Sequence, residues 1–494
     1  MDRREFLGLS MMAGGAILMS RLGAGVHAQA APDGAPNVLF IPVDDMRPQL
    51  GCFGHERMIS PNIDRLAAEG TAFLRTHCQQ AVCAPSRASL LSGLRPDSTR
   101  VWDLYTPLHE TRPEIVTLPR HFCANGYTAL SLGKVYHHRV KDDPEGWSER
   151  PWGGSNNTHG SEELRQARVE ANKADRAAGR RSSWRGPATE ALDVPDEHFG
   201  DGALTVKAIE EMQRLNETPQ PFFLAVGYHR PHLPFACPQR YWDMYPEDTI
   251  DLADNPFAPQ DCPDIALHNW GELRQYFDIP RNGPVSEETA RELIRGYYAC
   301  VSFVDAQIGM LLDELERLGL RDNTIVCLWG DHGWQLGEHG LWCKHSNFET
   351  STHSPLLMSA PGQAAAGQPT EALCEFVDIY PTLCELAGLA LPAHLEGTSL
   401  APLMDDPTRE WKRAAFSQYP RGGAMGYSMR TDRHRYTQWQ AERGAGETVA
   451  TELYDHEADP GENVNIAGAP ESAALVAELS EMLEAGWQGS LPPG

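Results

Sequence analysis

Asn37-Val-Leu-Phe-Ile-Pro-Val43, followed at once by Asp44-Asp45, is a short and almost wholly apolar run. A run without alternation of polar and apolar residues is typical of a strand buried on both faces of a sheet. The clearest helical pattern covers residues 286–318, where apolar side chains recur at spacings of three and four. Helical patterns separate the first run from three similar ones, at residues 127–132, 221–226 and 324–329. The sequence therefore predicts an α/β fold with a doubly wound sheet flanked by helices.

The four predicted strands all end in side chains that can do chemistry. In chain order these are Asp44 and Asp45, Lys134 and His137, His229, and Asp331 with His332. Any one of them could be a helix cap or an ordinary surface group. In open α/β sheets, however, ligands bind beyond the carboxyl ends of the strands, so four such ends favour one shared site.

Three of these side chains are carboxylates, namely Asp44, Asp45 and Asp331. Three carboxylates cannot share a small dry space without a cation. Their hard oxygen donors favour Ca²⁺ or Mg²⁺, and Ca²⁺ takes the larger number of ligands. His332 is a softer ligand, which leaves Zn²⁺ or Mn²⁺ open. We therefore predict one divalent cation at this edge of the sheet.

The 494-residue chain is acidic, with 42 Lys+Arg against 68 Asp+Glu and a formal net charge of −26. This charge argues against nonspecific nucleic-acid binding, and its simplest role is solubility. An acidic protein that binds an anion must concentrate cations in one pocket. Arg87, Lys134 and Lys344, together with a metal, predict a receptor for a compact tetrahedral oxyanion. His137 and His229 can move protons near neutral pH.

A nucleophile is offered by Cys83, in Cys83-Ala-Pro-Ser-Arg87 at the predicted start of a helix. A helix N-terminus stabilises negative charge on a thiolate. A plain cysteine nucleophile with a histidine partner is one interpretation, but a thiolate fits poorly beside hard-metal ligands. The eleven cysteines show no zinc-binding spacing, and their scatter indicates buried thiols rather than a disulfide framework.

Cys83-x-Pro85-Ser86-Arg87 resembles the signature of the type I sulfatases. In that family an enzyme oxidises the cysteine to Cα-formylglycine before the chain folds. The resemblance to the iduronate-2-sulfatase branch covers nearly the whole mature chain. It is carried by Asp44–Pro48, Gly133–His137, Pro221–His232, Asp331–Lys344, Tyr419–Arg421 and Glu452–Asp455. It implies an alkaline-phosphatase-like mixed sheet and a smaller C-terminal antiparallel sheet.

The same resemblance implies a role for each site residue. Asp44, Asp45, Asp331 and His332 would hold one Ca²⁺ per chain, with formylglycine 83 as a further ligand and Mg²⁺ as the less favoured ion. Arg87 and Lys134 would steady the formylglycine diol, while Lys134 and Lys344 contact the sulfate. His137 would be the base and His229, with Lys344, the acid, in a hydrolysis at sulfur through a covalent enzyme–sulfate ester. Because His138 follows His137, the base could lie one position later.

The substrate implied by the resemblance is a sulfated carbohydrate with 2-O-sulfate on a terminal uronate. We expect Arg47 to pair with the uronate carboxylate, against the alternative of a surface salt bridge, and Trp334 to stack on the sugar ring. One competing function is a phosphodiesterase or phosphonate hydrolase of the same superfamily, which Lys134 and Lys344 disfavour because they would occupy the second metal's place. Another is a non-catalytic binder of sulfated glycans, if Cys83 is never oxidised.

Residues 1–30 read as an export signal, with a twin-arginine pair at Arg3-Arg4 and a small-residue cleavage site at Val26-His-Ala28. A chance arginine pair in an ordinary signal is the alternative. We expect the twin-arginine machinery to export the folded chain to a bacterial periplasm, after a formylglycine-generating enzyme has acted in the cytoplasm. After the N-terminus no apolar run is long enough to span a membrane.

The mature chain is predicted to have a catalytic domain over residues 31–410 and a C-terminal subdomain over residues 411–494. Short alternating segments predict the subdomain's small antiparallel sheet, and residues 473–485 predict its closing helix. Residues 139–200 form a polar insertion, which we interpret as a solvated loop or lid. Its cluster of Arg180, Arg181, Trp184 and Arg185 offers the alternative of holding an anionic polymer.

Overall fold

The computed structural model describes residues 30–154, 158–179, 184–444 and 446–493. The predicted export signal, with Arg3 and Arg4, lies outside the described residues except for residue 30, and so do Arg180 and Arg181. In the part of the chain that the structure describes, no helix combines the length and the apolar character needed to cross a membrane.

Strands and helices are interspersed along the whole of the described chain. The strands are β1 (Asn37–Val43), β2 (Thr71–His77), β3 (Thr128–Gly133), β4 (Thr189–Leu192), β5 (Phe222–Gly227), β6 (Phe235–Pro238), β7 (Thr324–Gly330), β8 (Gln335–Leu336), β9 (Trp342–Cys343), β10 (Leu356–Ser359), β11 (Thr370–Glu375), β12 (Ala415–Arg421), β13 (Ala424–Arg430), β14 (His434–Ala441) and β15 (Thr448–Asp455). The helices are α1 (Pro61–Glu69), α2 (Cys83–Ser92), α3 (Pro96–Thr99), α4 (Leu108–Thr111), α5 (Leu118–Ala124), α6 (Glu162–Ala177), α7 (Gly200–Asn216), α8 (Gln239–Trp242), α9 (Glu287–Arg317), α10 (Glu349–Thr352), α11 (Ile379–Leu386), α12 (Ala401–Asp405) and α13 (Ala473–Ala485).

Seven strands form the central sheet, in the order β11-β2-β10-β7-β1-β5-β3. All of them run parallel except β10, which is antiparallel to both of its neighbours. The four strands predicted from apolar runs are β1, β3, β5 and β7, and they are adjacent in the sheet. Their carboxyl ends therefore lie side by side, as the shared-site argument requires, and the predicted alkaline-phosphatase-like mixed sheet is confirmed.

The sheet separates two hydrophobic cores. Along β1, Leu39 and Ile41 point into one core, while Val38 and Phe40 point into the other. The long helix α9 packs in the first core, and α2 and α11 pack in the second. Because successive side chains of a strand point to opposite faces, a strand covered on both sides must be apolar throughout. This is the physical origin of the unalternating runs in the sequence.

The C-terminal region has its own small sheet, with strands in the order β12-β13-β14-β15, all antiparallel. Helix α13 has the predicted bounds and covers this sheet through a small core. That core includes Met429, Tyr436, Leu453 and Leu479. The predicted small antiparallel sheet is thus confirmed, while the domain boundary after residue 410 stays a prediction.

The polar insertion, which the sequence suggested to be a solvated loop or lid, contains the 16-residue helix α6. Ser161 caps this helix by accepting a hydrogen bond from the Leu164 backbone N–H at 3.4 Å, and Glu162 and Glu163 occupy its first turn. A capping serine followed by acidic residues stabilises a helix N-terminus. Within the described part of the insertion, residues 162–177 therefore form a largely exposed helix.

Candidate active site

The site begins where β1 ends. Asp45 has a positive φ of 62°, which turns its side chain back over the sheet edge. Two contacts hold this turn: the Asp45 backbone N–H donates to Asp331 Oδ1 at 2.9 Å, and the Tyr297 hydroxyl donates to the Asp45 carbonyl at 2.8 Å. Asp331 follows β7, the neighbouring strand. The ends of two adjacent strands are thus locked together, with both carboxylates buried.

Cys83 is the first residue of α2 and is buried against these carboxylates. Its Sγ lies 3.3 Å from His332 Nε2 and 3.8 Å from Asp45 Oδ1. Burial, and then the charges of Asp331 and Asp44, raise the pKa of the Cys83 thiol well above its usual value. An unmodified cysteine here is held as the neutral thiol, which counts against a plain thiolate nucleophile.

Four of the five predicted metal ligands come together. The ligand atoms of Asp45, Cys83, Asp331 and His332 all lie within 4.8 Å of one another. His332 Nδ1 is 2.8 Å from the Gly333 carbonyl, which leaves Nε2 directed at the cluster. Two carboxylates and one oriented imidazole nitrogen in a buried space fit a divalent cation, and the oxygen donors suit Ca²⁺ or Mg²⁺.

Asp44, the fifth predicted ligand, is held by cations instead. The Lys134 ammonium pairs with its Oδ2, and Arg87 Nη2 is 3.0 Å from its Oδ1. Burial alone would raise the pKa of Asp44, but Lys134 and Arg87 outweigh it and hold this pKa well below its usual range. Asp44 is therefore an anion in the structure, and its role as a metal ligand stays a prediction.

Arg87 is fully buried and joins the acids of β1 and β7. Besides its bond to Asp44, its Nε lies 2.8 Å from Asp331 Oδ2, and its Nη1 donates to the Val135 carbonyl at 2.9 Å. The planar fork of a guanidinium suits such divided contacts. The observed part of Arg87 is to position two carboxylates, and its contact with a formylglycine diol stays a prediction.

Lys344, the residue directly after β9, faces the same cluster. Its Nζ lies 3.0 Å from Asp45 Oδ2 and 2.9 Å from Glu272 Oε1. Glu272 also lies 3.2 Å from a ring nitrogen of His232 and 3.2 Å from His345 Nε2. Sequence reasoning missed Glu272, because it lies in an irregular segment without a motif, and only the fold brings it to the site.

Histidines line the cavity above the cluster. His137 lies on its wall, and burial together with the charge of Lys134 lowers the pKa of His137 to about 3, so that the ring is neutral. The neighbouring His138 is instead engaged with Asp142 Oδ1 at 3.1 Å and with the Leu104 carbonyl at 2.9 Å. Of the two candidate bases, His137 is the one that faces the cavity.

A second histidine pair completes this wall. The rings of His229 and His232 stack with centroids 4.8 Å apart. His232 belongs to the Pro221–His232 segment that carries the family resemblance, but the sequence assigned it no role. Its spacing in His229-x-Pro-His232 is the signal that could have identified it, since both histidines follow the end of β5.

The cavity itself has a volume of about 560 Å³. The polar insertion contributes to its wall, through Arg168 on α6 and through Trp184 and Arg185 just before β4. The same wall carries side chains from the sheet edge and its loops, among them His137, His229, His232, Glu272, Tyr276 and His345. The cations on this wall are Arg168 and Arg185, whereas the predicted Arg87, Lys134 and Lys344 contact the acidic cluster beside it.

The expectation for Trp334 was wrong. Its side chain is only 1% exposed, and it packs in the core against Phe235 and Tyr297, with ring centroids 6.3 and 6.4 Å away. The Lys344 ammonium lies over the indole, 4.7 Å from its centroid. Trp334 has no face left for a sugar ring, and it supports Lys344 instead through a cation–π contact.

The expectation for Arg47 was also wrong. Its Nη1 lies 2.7 Å from Glu338 Oε1, and it lines a different cavity. The Arg47 backbone N–H is fixed by the Tyr297 hydroxyl at 2.9 Å, and this directs the side chain away from the His137 wall. The alternative of a salt bridge holds, although the pair is largely buried rather than on the surface.

Comparison with known proteins agrees with this geometry. The sulfatase family model matches residues 36–389, and a model described as N-sulphoglucosamine sulphohydrolase, C-terminal, matches residues 337–488. Human iduronate 2-sulfatase is 35% identical, over 90% of this chain and 93% of its own length. A sulfatase of Formosa agariphila is 31% identical, over 91% of this chain and 86% of its own length.

Two solved structures have the same fold. The phosphonate monoester hydrolase of Agrobacterium radiobacter superposes with a TM-score of 0.74 at 26% identity, covering 91% of this chain and 95% of that one. A protein in complex with its substrate D-glucosamine-2-N,6-O-disulfate superposes with a TM-score of 0.72 at 23% identity, covering 92% and 98%. The extent of the family match and the identity to curated relatives place this chain: it belongs to the sulfatase family and is a sulfuric ester hydrolase.

Proposed function

We propose that the protein removes the 2-O-sulfate of a terminal uronate from a sulfated carbohydrate, using formylglycine made from Cys83. The observation that carries the proposal is the position of Cys83. It begins a helix, touches the predicted metal ligands and lies within reach of the charges of Lys134 and Lys344. The 35% identity to human iduronate 2-sulfatase over most of both chains supports the choice of substrate.

Two groups complete this site. Oxidised and hydrated, residue 83 supplies an oxygen nucleophile where the buried thiol is held neutral. A Ca²⁺ ion, with Mg²⁺ as the second choice, supplies positive charge beside that oxygen and the sulfate. Asp45, Asp331 and His332 are the residues that would hold the ion, with Asp44 as the further predicted ligand.

The lysines bind and orient the sulfate. The positive charges of Lys134 and Lys344 both favour an anion at residue 83. In the structure each ammonium pairs with a carboxylate, Lys134 with Asp44 and Lys344 with Asp45. With a cation held by Asp45, Asp331 and His332, the ammonium protons of Lys134 and Lys344 would be able to bind the sulfate oxygens. His137 is neutral in the structure, so its ring can accept a proton as the bound sulfate leaves residue 83.

The alcohol that leaves when the S–O bond breaks needs a proton, and the His229–His232 pair supplies it. Burial and the neighbouring charges of His232 and Lys134 lower the pKa of His229 well below its usual value. Burial also lowers the pKa of His232, but Asp45, Asp44 and Glu272 outweigh it and raise that pKa. His232 lies 3.2 Å from Glu272, which also contacts Lys344, and on this geometry we propose His232 as the donor in place of the predicted His229.

The two histidines can be separated by leaving-group dependence. We expect His232→Gln to lower kcat/KM for a sugar sulfate by about 10²- to 10⁴-fold, the usual contribution of a general acid. The same variant should lose much less on 4-nitrophenyl sulfate, whose phenolate leaves without protonation. His229→Gln, in the ring that stacks on His232, is the matched variant. It should lower kcat/KM for the two substrates by similar factors. The opposite pattern would return the role to His229.

The substrate and the nucleophile are tested together with protein co-expressed with a formylglycine-generating enzyme. Mass spectrometry of the tryptic peptide spanning residues 76–87 should find an aldehyde in place of the thiol. The enzyme should hydrolyse a 2-O-sulfated uronate at a non-reducing end, and act far more weakly on 6-O-sulfated glucosamine. A preference for the glucosamine would overturn the substrate assignment, and a preference for a phosphonate monoester would favour the activity named for the Agrobacterium structure.

Maturation and location form part of this proposal. Oxidation acts on an unfolded chain, whereas twin-arginine export carries a folded one, so the modifying enzyme must act in the cytoplasm first. The Arg3-Arg4 pair and the cleavage site near Ala28 then direct the protein to the periplasm.

A further inference from the structure

We infer that Arg185, with Arg168 and Trp184, forms a subsite that binds the carboxylate of the sulfated uronate and stacks on its ring. The inference rests on the proposed function, because it assigns the second anion of that substrate. All three residues come from the insertion between β3 and β5, and all three line the cavity that His137, His229 and His232 also line.

The subsite brings two guanidinium groups to one cavity wall. Arg168 Nη1 donates to Thr158 Oγ1 at 2.6 Å, and burial together with the charge of Arg185 lowers the pKa of Arg168. The guanidinium of Arg185 contacts the Trp184 carbonyl at 3.4 Å, and among the ion pairs of the described residues no carboxylate contacts it. Two guanidinium groups that repel each other on a cavity wall are stabilised by an anion bound to both.

Tyr276 places this wall next to the catalytic lysine. The tyrosine is buried and lines the cavity. Burial and the charge of Glu272 raise the pKa of Tyr276, and the charge of Arg185 opposes this rise. Glu272 is itself in contact with Lys344. Tyr276, Glu272 and Arg185 line the same cavity, so the Arg185 part of its wall lies near Lys344, which is proposed to bind the sulfate.

Trp184 is fixed in its orientation by packing. Its ring meets His159 edge-on, with centroids 5.6 Å apart. The next turn contains Gly186, with a φ of +73°, where a Cβ would come within 2.6 Å of the His159 ring and 2.8 Å of the Trp184 ring. Only glycine fits this position, so the chain can hold the indole against the cavity. An aromatic face beside cations is a suitable surface for the C–H face of an anionic sugar.

The chemistry of a uronate explains why two separate cationic groups are needed. Its 2-O-sulfate and its C5 carboxylate project from opposite sides of the ring. Lys134 and Lys344 serve the sulfate, so the carboxylate requires cations elsewhere on the wall. A guanidinium is the side chain best matched to the two coplanar oxygens of a carboxylate. Arg185 thus has the role that the sequence alone assigned to Arg47.

Binding to catalytically inactive protein tests the inference directly. In a Cys83→Ala background, a 2-O-sulfated uronate disaccharide and its carboxyl-reduced counterpart are titrated by calorimetry. Adding Arg185→Ala should weaken binding of the uronate about ten- to a hundredfold, the usual value of a charge-assisted contact, and change the affinity for the reduced sugar by less than about twofold. Arg185 is exposed, so the substitution should not unfold the protein.

Arg176→Ala provides the matched control, because Arg176 is an exposed arginine of α6 that does not line the cavity. It should leave both affinities unchanged. Equal losses on the two ligands after Arg185→Ala, or no loss on either, would overturn the subsite. Equal affinity of the protein without Arg185→Ala for the uronate and the reduced sugar would likewise overturn the subsite, whereas binding of neither ligand would count against the proposed function.

Discussion

Two buried ionic clusters lie at the same edge of the central sheet, and only one of them is a site. The catalytic cluster consists of Asp44, Asp45, Arg87, Lys134, Asp331 and Lys344 around Cys83. The closed cluster consists of Arg95, Glu375, Asp378 and Lys412, and Glu375 ends β11 just as the aspartates follow β1 and β7. Acidic residues at strand ends therefore do not by themselves distinguish a reaction centre from a support.

The closed cluster balances its charges internally. Arg95 makes two bonds to Glu375, at 2.6 and 2.8 Å, and Lys412 lies 2.6 Å from Asp378 and 2.8 Å from Glu375. Glu375 also accepts the backbone N–H of Phe416 at 2.9 Å, at the start of the second sheet. The two acids and the two cations pair with one another and join the two sheets.

The catalytic cluster does not balance its charges internally in this way. The ligand atoms of Asp45, Asp331, His332 and Cys83 are crowded together, and the cluster borders a cavity with further histidines. Carboxylates held this close require a cation. The lysines that now pair with these carboxylates can then pair with an incoming anion instead. The difference teaches that unmatched charge next to a cavity, rather than buried charge as such, marks the functional region.

The largest effect should follow from removing the nucleophile of the catalytic cluster. Cys83→Ala should reduce kcat by at least about 10⁴-fold, because no other side chain can replace an activated nucleophile. Assays on a sugar sulfate, with circular dichroism to check the fold, measure it. Cys78→Ala is the matched control, since Cys78 is also fully buried and lies five residues earlier. Unmodified thiol at residue 83 in fully active protein would contradict the mechanism.

Breaking the closed cluster should affect stability and not chemistry. Lys412→Met leaves Glu375 and Asp378 without their shared cation in the interior, which costs about 3–5 kcal/mol of unfolding free energy. Urea denaturation measures this loss, and the kcat of the folded fraction should stay at the wild-type value. Lys173→Met, at an exposed lysine of α6, should change stability by less than about 0.5 kcal/mol. A large fall in kcat for Lys412→Met would show that the two clusters are coupled.

Metal removal should lower both turnover and stability, and both effects should arise in the catalytic cluster. Chelation should abolish turnover and lower the unfolding free energy by about 3–4 kcal/mol relative to Ca²⁺ at 100 to 1,000 times its Kd. The reason is repulsion between Asp45 and Asp331 once no cation separates them. Calcium should restore both properties in the wild type and should not restore the stability lost in Lys412→Met. Stoichiometric Zn²⁺ in the purified protein, without Ca²⁺ or Mg²⁺, would contradict the assignment.

Much of the framework could be predicted from local pattern. The four apolar runs became four adjacent strands, and the 286–318 pattern became helix α9 with bounds one residue inside it at each end. The polar residues that follow the four strands lie at one edge of the sheet, because the carboxyl ends of parallel strands are on the same side. Cys83 at the start of α2 also follows from its motif and from the proline two residues later.

The sequence could not predict which loop side chains face the cavity. Glu272 has no motif, and Trp184 and Arg185 lie about 100 residues after Cys83 along the chain, in the polar insertion that also contains α6. Arg47 and Trp334 lie within two residues of predicted metal ligands in the sequence, yet packing against Tyr297 and Glu338 directs them elsewhere.

The sequence by itself therefore determined the strands, the polar residues at their ends and the position of the candidate nucleophile at a helix start, because these depend on periodicity and on short motifs. Only the tertiary structure decided that His137 rather than His138 faces the cavity, that His232 joins Glu272, and that Arg185 replaces Arg47 on the wall. The physical reason is that backbone pattern fixes where a strand ends, whereas the direction of a side chain beyond that end is set by partners distant in sequence.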